Sequence, residues 1–437
     1  MSNSLDPSAQ RKARRERLRR EREHEQKKLW LKLTAAALVL LLCGGLIYMF
    51  ARKGSRKAEE RGPEPSAPQV EYATVPQATD AKGETETPPT TVIHLAAAGD
   101  INICDGVIAA AGENMDFSKM FLDVMPLLAE ADLTVANFEG NLVGPPYGSE
   151  QCSAPQQLLT VLKNSGIDLL QMANSCSIRN GVSGLGTTLR AIEAEGLTPL
   201  GAYASNAEAE EAGGYTIRMV NGIKIAFVAF TKGMDSMALP VGTEKCVNLL
   251  YTDYYTNYQK VNREGITKVL KAAAAEKPDI TVALLHWGSE YNDMISDTQE
   301  SIESLLRSQG VDIILGTHPH YVQAIKYNEE NGDFLCYSLG DLLSDTAHAG
   351  TDYSIILDLE ITKDNETGET RVTNYTYTPV YIDTTAGGLQ VLRISSARLG
   401  YEMDYIGKVT DEAYGGMLHA EERVADRVTV PPEEDDE

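Results

Sequence analysis

The chain has 437 residues, with 39 Lys and Arg against 63 Asp and Glu and a net charge of −24. The charge is unevenly spread, because residues 1–53 hold 13 basic and 5 acidic residues, whereas residues 54–437 hold 26 basic and 58 acidic ones. A body this acidic repels nucleic acid, so we predict that nucleic acid is not a partner.

The N-terminal part is predicted to anchor the chain in a membrane. Residues 1–32 form a basic segment, and residues 33–51 contain no charged side chain. That run is close to the ~20 apolar residues that a transmembrane helix needs, and its basic flank places the N-terminus in the cytoplasm. Residues 52–90, rich in Pro, Glu and Thr, are predicted to be a disordered linker. We therefore expect a single-pass protein of the cell membrane with an extracellular body.

From residue 91 onward, apolar strand-like runs alternate with helix-like stretches. The predicted strands are 93–98, 133–136, 167–173, 225–230, 280–285 and 313–315. The predicted helices are 117–129, 156–164, 187–195, 254–275 and 298–309. Continuous apolar strands separated by helices indicate an α/β fold, with a largely parallel sheet that is covered on both faces.

Other strands are predicted to be antiparallel. Asn221-Gly222 and Asn331-Gly332 each separate two apolar runs, as in hairpins, and residues 353–361 and 371–380 alternate in the antiparallel manner. We therefore predict a mixed-sheet α/β body over residues 91–384, with two sheets face to face as one arrangement. Residues 385–437 are predicted to be an extension, with a helix near 410–424 and an acidic, disordered tail.

Carboxylate and amide side chains follow two of the predicted strands. Asp100 ends the first strand, while Asn137 and Glu139 end the second and lie two residues apart on one face. Open α/β sheets bind ligands at the carboxyl ends of their strands, and carboxylates bind hard cations. The alternatives are an ordinary turn at Gly99-Asp100 and a capping role for Asn137.

Three histidines end two later strands. His286 follows a very apolar run, and Pro319 separates His318 from His320. Proline favours an extended preceding residue, so both flanking imidazoles should project to one side. Imidazole commonly binds transition metals, whereas loop histidines on the surface are the alternative. We predict a divalent cation (Mn, Fe, Zn or Mg) at Asp100, Glu139, His286, His318 and His320.

Five ordered motifs resemble those of CapA-type capsule, or poly-γ-glutamate, synthesis proteins of bacteria. They are Gly99-Asp100-Ile101, the run 135–140, the run 285–291, the run 316–320 and the run 337–341. This resemblance implies a metallophosphoesterase-like α/β sandwich and a membrane anchor. It also implies a role in a polymer-synthesis or export complex, with an anionic polymer as a ligand.

The chain departs from the family pattern at several positions. Where the family usually reads Ala-Asn-Asn-His-x-x-Asp-x-Gly, residues 173–181 place Ser175 and Cys176 at the Asn-His pair and Arg179 at the Asp. Asp341 stands where Asn is usual. These changes leave open whether one or two cations bind. Asn174, Arg179 and Asp341 are retained as further candidate binding residues.

Cys176 has three interpretations. We favour a disulfide with Cys152, whereas a thiolate metal ligand and an inert thiol are the alternatives. Five of the six cysteines lie in the predicted extracellular body. Because that number is odd, at least one of them has no partner within the body.

Two functions remain open at the level of the sequence. The altered Ser175-Cys176 segment favours an accessory protein that binds an anionic polymer or a partner of a synthesis complex. The alternative is a metal-dependent phosphatase or phosphodiesterase, in which water is the nucleophile and His286 and Asn137 are catalytic.

Overall fold

The computed structural model describes residues 89–404 and 409–429. The predicted basic segment, transmembrane helix, linker up to residue 88 and acidic tail lie outside the described residues. Of the helices within those two ranges, none combines the length and apolar character that a membrane span requires.

The described residues form fourteen strands, numbered in chain order. They are β1 Thr90–Asn102, β2 Leu133–Glu139, β3 Leu169–Gln171, β4 Thr198–Leu200, β5 Tyr215–Val220, β6 Ile223–Thr231, β7 Ile280–His286, β8 Ile313–Thr317, β9 Ile325–Asn328, β10 Asp333–Cys336, β11 Asp341–Leu343, β12 Tyr353–Asp364, β13 Thr370–Asp383 and β14 Gln390–Arg393. All six strands predicted from apolar runs are present, within a few residues at their ends.

Nine α-helices accompany these strands within the described ranges. They are α1 Asp105–Ala111, α2 Met125–Ala129, α3 Gln156–Asn164, α4 Gly181–Ala194, α5 Asn206–Ala212, α6 Arg263–Ala275, α7 Asp297–Ser308, α8 Ile394–Glu402 and α9 Asp411–Val428.

The strands form two mixed sheets. The first has the order β14-β13-β12-β1-β2-β3-β4, with β11 also paired to β1, and the second has the order β5-β6-β7-β8-β10-β9. Strands β1 to β4 are parallel in the first sheet, as are β6, β7, β8 and β10 in the second. The predicted hairpin at Asn221-Gly222 joins β5 to β6, and both turn residues have positive φ. The mixed-sheet prediction is confirmed.

The two sheets face each other and helices cover their outer sides. Leu95 and Val135 of the first sheet share one buried core with Phe227 and Val282 of the second. A second core lies between the first sheet and α1 to α4, and a third between the second sheet and α6 and α7. Because β2 and β7 are covered on both faces, every residue in them is buried, including the polar ones at their ends.

Three predicted helices differ from those observed. The helix predicted over 187–195 begins earlier, at Gly181. The helix predicted over 117–129 is interrupted and restarts at Met125, with Pro126 in its first turn. Proline lacks an amide hydrogen and is tolerated at a helix start but not in the interior. The helix predicted from 254 begins only at Arg263, where the side chain of Asn262 accepts a hydrogen bond from the amide of Gly265 at 3.1 Å.

The C-terminal residues continue the same body. Strand β14 pairs with β13 at the edge of the first sheet. Helix α9, which confirms the helix predicted near 410–424, buries Met417 and Val424 in the core shared by both sheets. Its first turn is capped by the hydroxyl of Thr410, which accepts from the amide of Ala413.

Candidate metal centre

The carboxyl ends of β1 and β2 bring Asp100, Asn137 and Glu139 together. The strand register pairs Asp100 with Asn137, and all three side chains are buried. The amide nitrogen Nδ2 of Asn137 donates to Oδ1 of Asp100 at 2.6 Å and to Oε1 of Glu139 at 3.3 Å. One amide therefore holds two carboxylates side by side.

Two glycines permit the close approach of strands beneath these side chains. A Cβ atom at Gly99 would lie 1.8 Å from the carbonyl oxygen of Gly340, and one at Gly316 would lie 1.9 Å from that of Tyr337. Neither position has room for any side chain. The glycine before Asp100 thus admits the close approach of a neighbouring backbone.

His286 ends β7 and faces the carboxylates from the second sheet. Its Nε2 lies 3.0 Å from the hydroxyl of Ser175 and 3.5 Å from Oε1 of Glu139. Its Nδ1 lies 3.2 Å from the hydroxyl of Thr317 and 3.3 Å from Nδ2 of Asn137. The ring is completely buried and contacts side chains of both sheets.

His318 and His320 reach the same centre from the loop after β8. The amide of His318 donates to Oδ2 of Asp100 at 3.0 Å. Nδ1 of His320 lies 2.8 Å from Oδ1 of Asp341 and 3.6 Å from Oδ2 of Asp100. The ring of His318 also packs against that of His286, with centroids 4.4 Å apart.

The backbone of this loop is not the one that the sequence predicted. His318 has a φ of 93° and His320 a φ of 59°, so both lie in the region that non-glycine residues seldom adopt. The prediction that Pro319 holds His318 extended is wrong, because the amide of His318 turns inward to bond Asp100. Conformations of this kind cost about 1–3 kcal/mol each and concentrate at functional sites.

Burial changes the protonation of the two carboxyl groups. It raises the pKa of Asp100 to about 6, although the His320 cation opposes the shift. Burial, with the nearby charge of Asp100, also raises the pKa of Glu139 well above its usual value. Both groups therefore accept a proton more readily than exposed carboxylates, and a bound cation would offset this cost.

The three imidazoles differ in protonation. Burial lowers the pKa of His286 and of His318 well below the usual value, so both are neutral, as a metal ligand must be. Burial also opposes the protonation of His320. The carboxylates of Asp341 and Asp100 nevertheless outweigh it and raise the pKa of His320 well above the usual value.

The donor atoms form three overlapping groups that suit a cation. The groups are Asp100, Glu139 and His286; Asp100, His320 and Asp341; and Glu290, His318 and His320. Within each group the donor atoms lie within 4.8 Å of one another. Nδ1 of His318 is buried and has no hydrogen-bond partner. This mixture of carboxylate oxygen and imidazole nitrogen fits Mn, Fe or Zn better than Mg.

The structure assigns different positions to the other candidate residues. Nδ2 of Asn174 donates to Oδ1 of Asn137 at 3.0 Å and to the carbonyl of Phe138 at 2.7 Å, so Asn174 positions Asn137. Asp341 joins a ligand group. Arg179 instead donates to Oδ2 of Asp235 at 2.6 Å, so its charge is already paired.

Sequence reasoning missed two residues of this centre. Glu290 lies in a loop four residues after His286, and Ser175 was regarded only as a departure from a family pattern. Neither residue ends a strand, which was the signal that led to the others. The position of Glu290 within the run 285–291 was the available clue.

A cavity of about 360 Å³ opens onto the centre. Its walls include Glu139, His320 and Asp341, and among its described lining residues none is Lys or Arg. At its mouth the ring of Tyr291 stacks on His348 at 3.9 Å between centroids and on His320 at 5.3 Å. Acidic side chains therefore line the cleft, and stacked aromatic rings form one of its sides.

Cys152 and Cys176 lie next to each other in the wall of this cavity. Both are free cysteines in the structure, so the predicted disulfide is not formed there. The two residues are nevertheless close neighbours, because Asn141 donates to the carbonyl oxygens of both.

Comparison with known proteins gives a family and two curated relatives. The family described as bacterial capsule synthesis protein PGA_cap matches residues 94–346. The PGA biosynthesis protein CapA of Bacillus subtilis is 27% identical over 311 residues, which cover 67% of this chain and 74% of that protein. The capsule biosynthesis protein CapA of Bacillus anthracis is 25% identical over 258 residues, covering 57% of this chain and 59% of that protein.

Solved structures give more distant similarities. A calcineurin-like phosphoesterase, YfkN of Bacillus subtilis, aligns with a TM-score of 0.41 and 14% identity over 76% of this chain and 100% of that one. A phosphatase from Mycoplasma pneumoniae aligns with a TM-score of 0.40 and 14% identity over 68% of this chain and 96% of that one. These similarities are too distant to assign an activity.

Proposed function

Because this chain belongs to the PGA_cap family of bacterial capsule synthesis proteins, we propose that it is an accessory component of the synthesis or export of an anionic surface polymer. The residues of its cleft would hold a divalent cation, whose positive charge would allow an anionic polymer to bind there. Relatives named for PGA and capsule biosynthesis support poly-γ-glutamate or a similar polyanion as the ligand. The uncharged run 33–51 supports a site of action at the cell membrane, with the body outside.

The observation that carries this proposal is the charge of the cleft. Its walls contain three carboxyl groups, from Glu139, Asp341 and Asp345, against one imidazole of raised pKa, from His320, and no Lys or Arg is found among the described residues that line it. A carboxylate polymer would be repelled by these walls alone. A divalent cation reverses the local charge and can bridge two sets of carboxylates.

The residues that would hold the cation belong to the three groups described above. Asp100 and Glu139 supply charge, His286 and His318 supply neutral nitrogen atoms, and His320 links two of the groups. When bound, the cation supplies Lewis acidity and a positive charge for an anionic ligand. The hydrogen bonds from Asn137 and from the amide of His318 fix the orientation of Asp100.

One feature of the surroundings favours binding over hydrolysis. The guanidinium group of Arg179 pairs with Asp235 and does not face the cleft as a free charge. A phosphoryl transition state would therefore gain little stabilisation from Arg179.

A hydrolase remains the second candidate because of one observation. Asp100 belongs to two of the ligand groups, so the residues of these two groups would hold two cations. Paired cations activate water and clamp phosphoryl oxygens in many hydrolases.

The test uses the full-length chain, purified in detergent and stripped of metal. Binding of poly-γ-glutamate is measured by sedimentation with and without Mn²⁺, and hydrolysis of a chromogenic phosphodiester is measured in parallel. We expect Mn²⁺-dependent binding without turnover, and loss of binding in Asp341→Asn but not in Asp345→Asn. Turnover that requires Mn²⁺ and disappears in His320→Gln would support the hydrolase instead. Polymer binding that is unaffected by EDTA would contradict the cation bridge.

A further inference from the structure

Two buried thiols meet at the edge of the cleft. Cys152 lies in the loop after β2 and is 7% exposed, and Cys176 lies after β3 and is 6% exposed. The two residues are neighbours, and both border the cavity that opens onto the candidate metal centre. A small reagent that enters this cavity therefore meets both residues.

The fold holds these thiols together through other side chains. The amide of Asn141 donates to the carbonyl of Cys152 at 2.6 Å, and its Nδ2 donates to the carbonyl of Cys176 at 2.8 Å. Nδ2 of Asn180 also donates to the carbonyl of Gln151 at 2.7 Å. The two segments are therefore fixed next to each other without any bond between the sulfur atoms.

The electrostatic surroundings favour reaction at Cys152. The guanidinium group of Arg179 and the thiol of Cys176 both lie near its sulfur atom. The hydrogen bond from Cys176, supported by the charge of Arg179, outweighs burial and lowers the pKa of Cys152 to about 7. Thiolates are the reactive form in disulfide exchange, and neighbouring cations promote them.

Cys176 is also connected to the metal centre. The residue before it, Ser175, contacts Nε2 of His286 at 3.0 Å. Asn174 donates to Oδ1 of Asn137 at 3.0 Å, and the oxygen of its own side chain accepts from the amide of Cys176 at 3.0 Å. A displacement of Cys176 therefore moves groups that position both His286 and Asn137.

We propose that Cys152 and Cys176 form a reversible disulfide on reaction with a low-molecular-weight disulfide, and that this bond weakens cation binding in the cleft. A disulfide fixes its two sulfur atoms about 2.05 Å apart. Closing to that distance shifts the segment 174–176, whose Ser175 contacts His286 and whose Asn174 contacts Asn137. The effect on cation binding rests on the proposed function, whereas formation of the bond does not.

The reaction balances with the added disulfide as the oxidant. The thiolate of Cys152 attacks one sulfur of the reagent, forms a mixed disulfide and releases one thiolate. Cys176 loses its proton to solvent, and its sulfur attacks the sulfur of Cys152. The second half of the reagent leaves as a thiolate. Overall, two protein thiols are oxidised, one reagent disulfide is reduced to two thiols, and dithiothreitol reverses the process.

The test equilibrates the full-length chain in glutathione buffers of increasing oxidised fraction, followed by alkylation and peptide mapping. We expect one peptide pair linked through Cys152 and Cys176, lost in Cys152→Ser and retained in Cys104→Ser. Cys104 is the matched control because it lines the same cavity. Titration of Mn²⁺ should then show about tenfold weaker binding by oxidised than by reduced wild type. Cys152→Ser should bind Mn²⁺ equally in both buffers.

The possible failures can be told apart. The proposal is overturned if both thiols can still be alkylated in the most oxidising buffer while the circular dichroism spectrum shows that the chain is still folded. A disulfide that forms without changing Mn²⁺ affinity would overturn the link to the cleft. If the reduced chain binds no Mn²⁺, the proposed function fails, and peptide mapping still decides whether the disulfide forms.

Discussion

The two sheets contribute different chemistry to the same centre. The strand ends of the first sheet supply carboxylates and amides, with Asp100 and Glu139 as the charged groups. The second sheet and its loop supply imidazoles, His286, His318 and His320. Burial raises the pKa of both carboxyl groups and lowers that of His286 and His318.

This difference shows why the site needs both sheets. Buried carboxylates without a partner tend to take up protons, and buried imidazoles tend to remain neutral. Neutral imidazoles ligate a cation without cost, and the cation in turn stabilises the carboxylates in their charged form. We therefore expect variants on the two sides to weaken the same property, cation affinity, for different reasons.

The largest effect is expected on the carboxylate side. Asp100→Asn keeps the shape of the side chain but removes the charge that two ligand groups share. Its loss of Mn²⁺ affinity, measured by isothermal titration calorimetry, should exceed the roughly 10–100-fold change typical of residues that only support ligands. Asp345→Asn, in the same cavity, is the control and should bind as wild type. If Asp100→Asn and wild type bind Mn²⁺ with equal affinity, Asp100 is not a ligand of the cation.

A comparable loss is expected on the imidazole side. His320→Gln removes a nitrogen donor that belongs to two groups, so Mn²⁺ affinity should fall by about 10–100-fold. His94→Gln is the control, because His94 pairs with Asp358 on the first sheet, outside the three ligand groups. If both variants lose affinity equally, the effect comes from folding and not from coordination.

Acid should weaken cation binding through the carboxylate side. The pKa of Asp100 is raised to about 6, so this group is increasingly protonated as pH falls through 6. A metal-ligating carboxyl group must lose its proton before it binds the cation. Mn²⁺ affinity should therefore rise by up to about tenfold for each pH unit, and Mn²⁺ binding should release protons. Calorimetry in two buffers of different ionisation enthalpy counts the released protons. An affinity that is constant from pH 5 to pH 7 would contradict this expectation.

The smallest effect is expected at the boundary between the two sides. Ser175→Ala removes the hydroxyl group that contacts Nε2 of His286 at 3.0 Å. A hydrogen bond of this kind contributes about 0.5–1.5 kcal/mol, so Mn²⁺ affinity should change by less than about tenfold. Ser183→Ala, on the exposed surface of α4, is the control. A change of a hundredfold or more would make Ser175 part of the ligand set.

The sequence predicted the strand ends because their signals are local. Each apolar run ended at a polar residue, and parallel strands bring such residues to one edge. The left-handed backbone of His318 and His320 could not be predicted in this way. It depends on the bond from the amide of His318 to Asp100, which is 218 residues distant. Glu290 and Ser175 were missed for the same reason, since loop packing alone brings them to the centre.

Pulsed electron paramagnetic resonance of the Mn²⁺-loaded full-length chain tests the central claim most directly, because it detects which atoms surround the ion. If the two sheets jointly hold the cation, the spectrum shows nitrogen coupling from coordinated imidazole, and this coupling weakens in His320→Gln. Bound Mn²⁺ surrounded by oxygen alone, or no bound Mn²⁺ at neutral pH, would contradict the account.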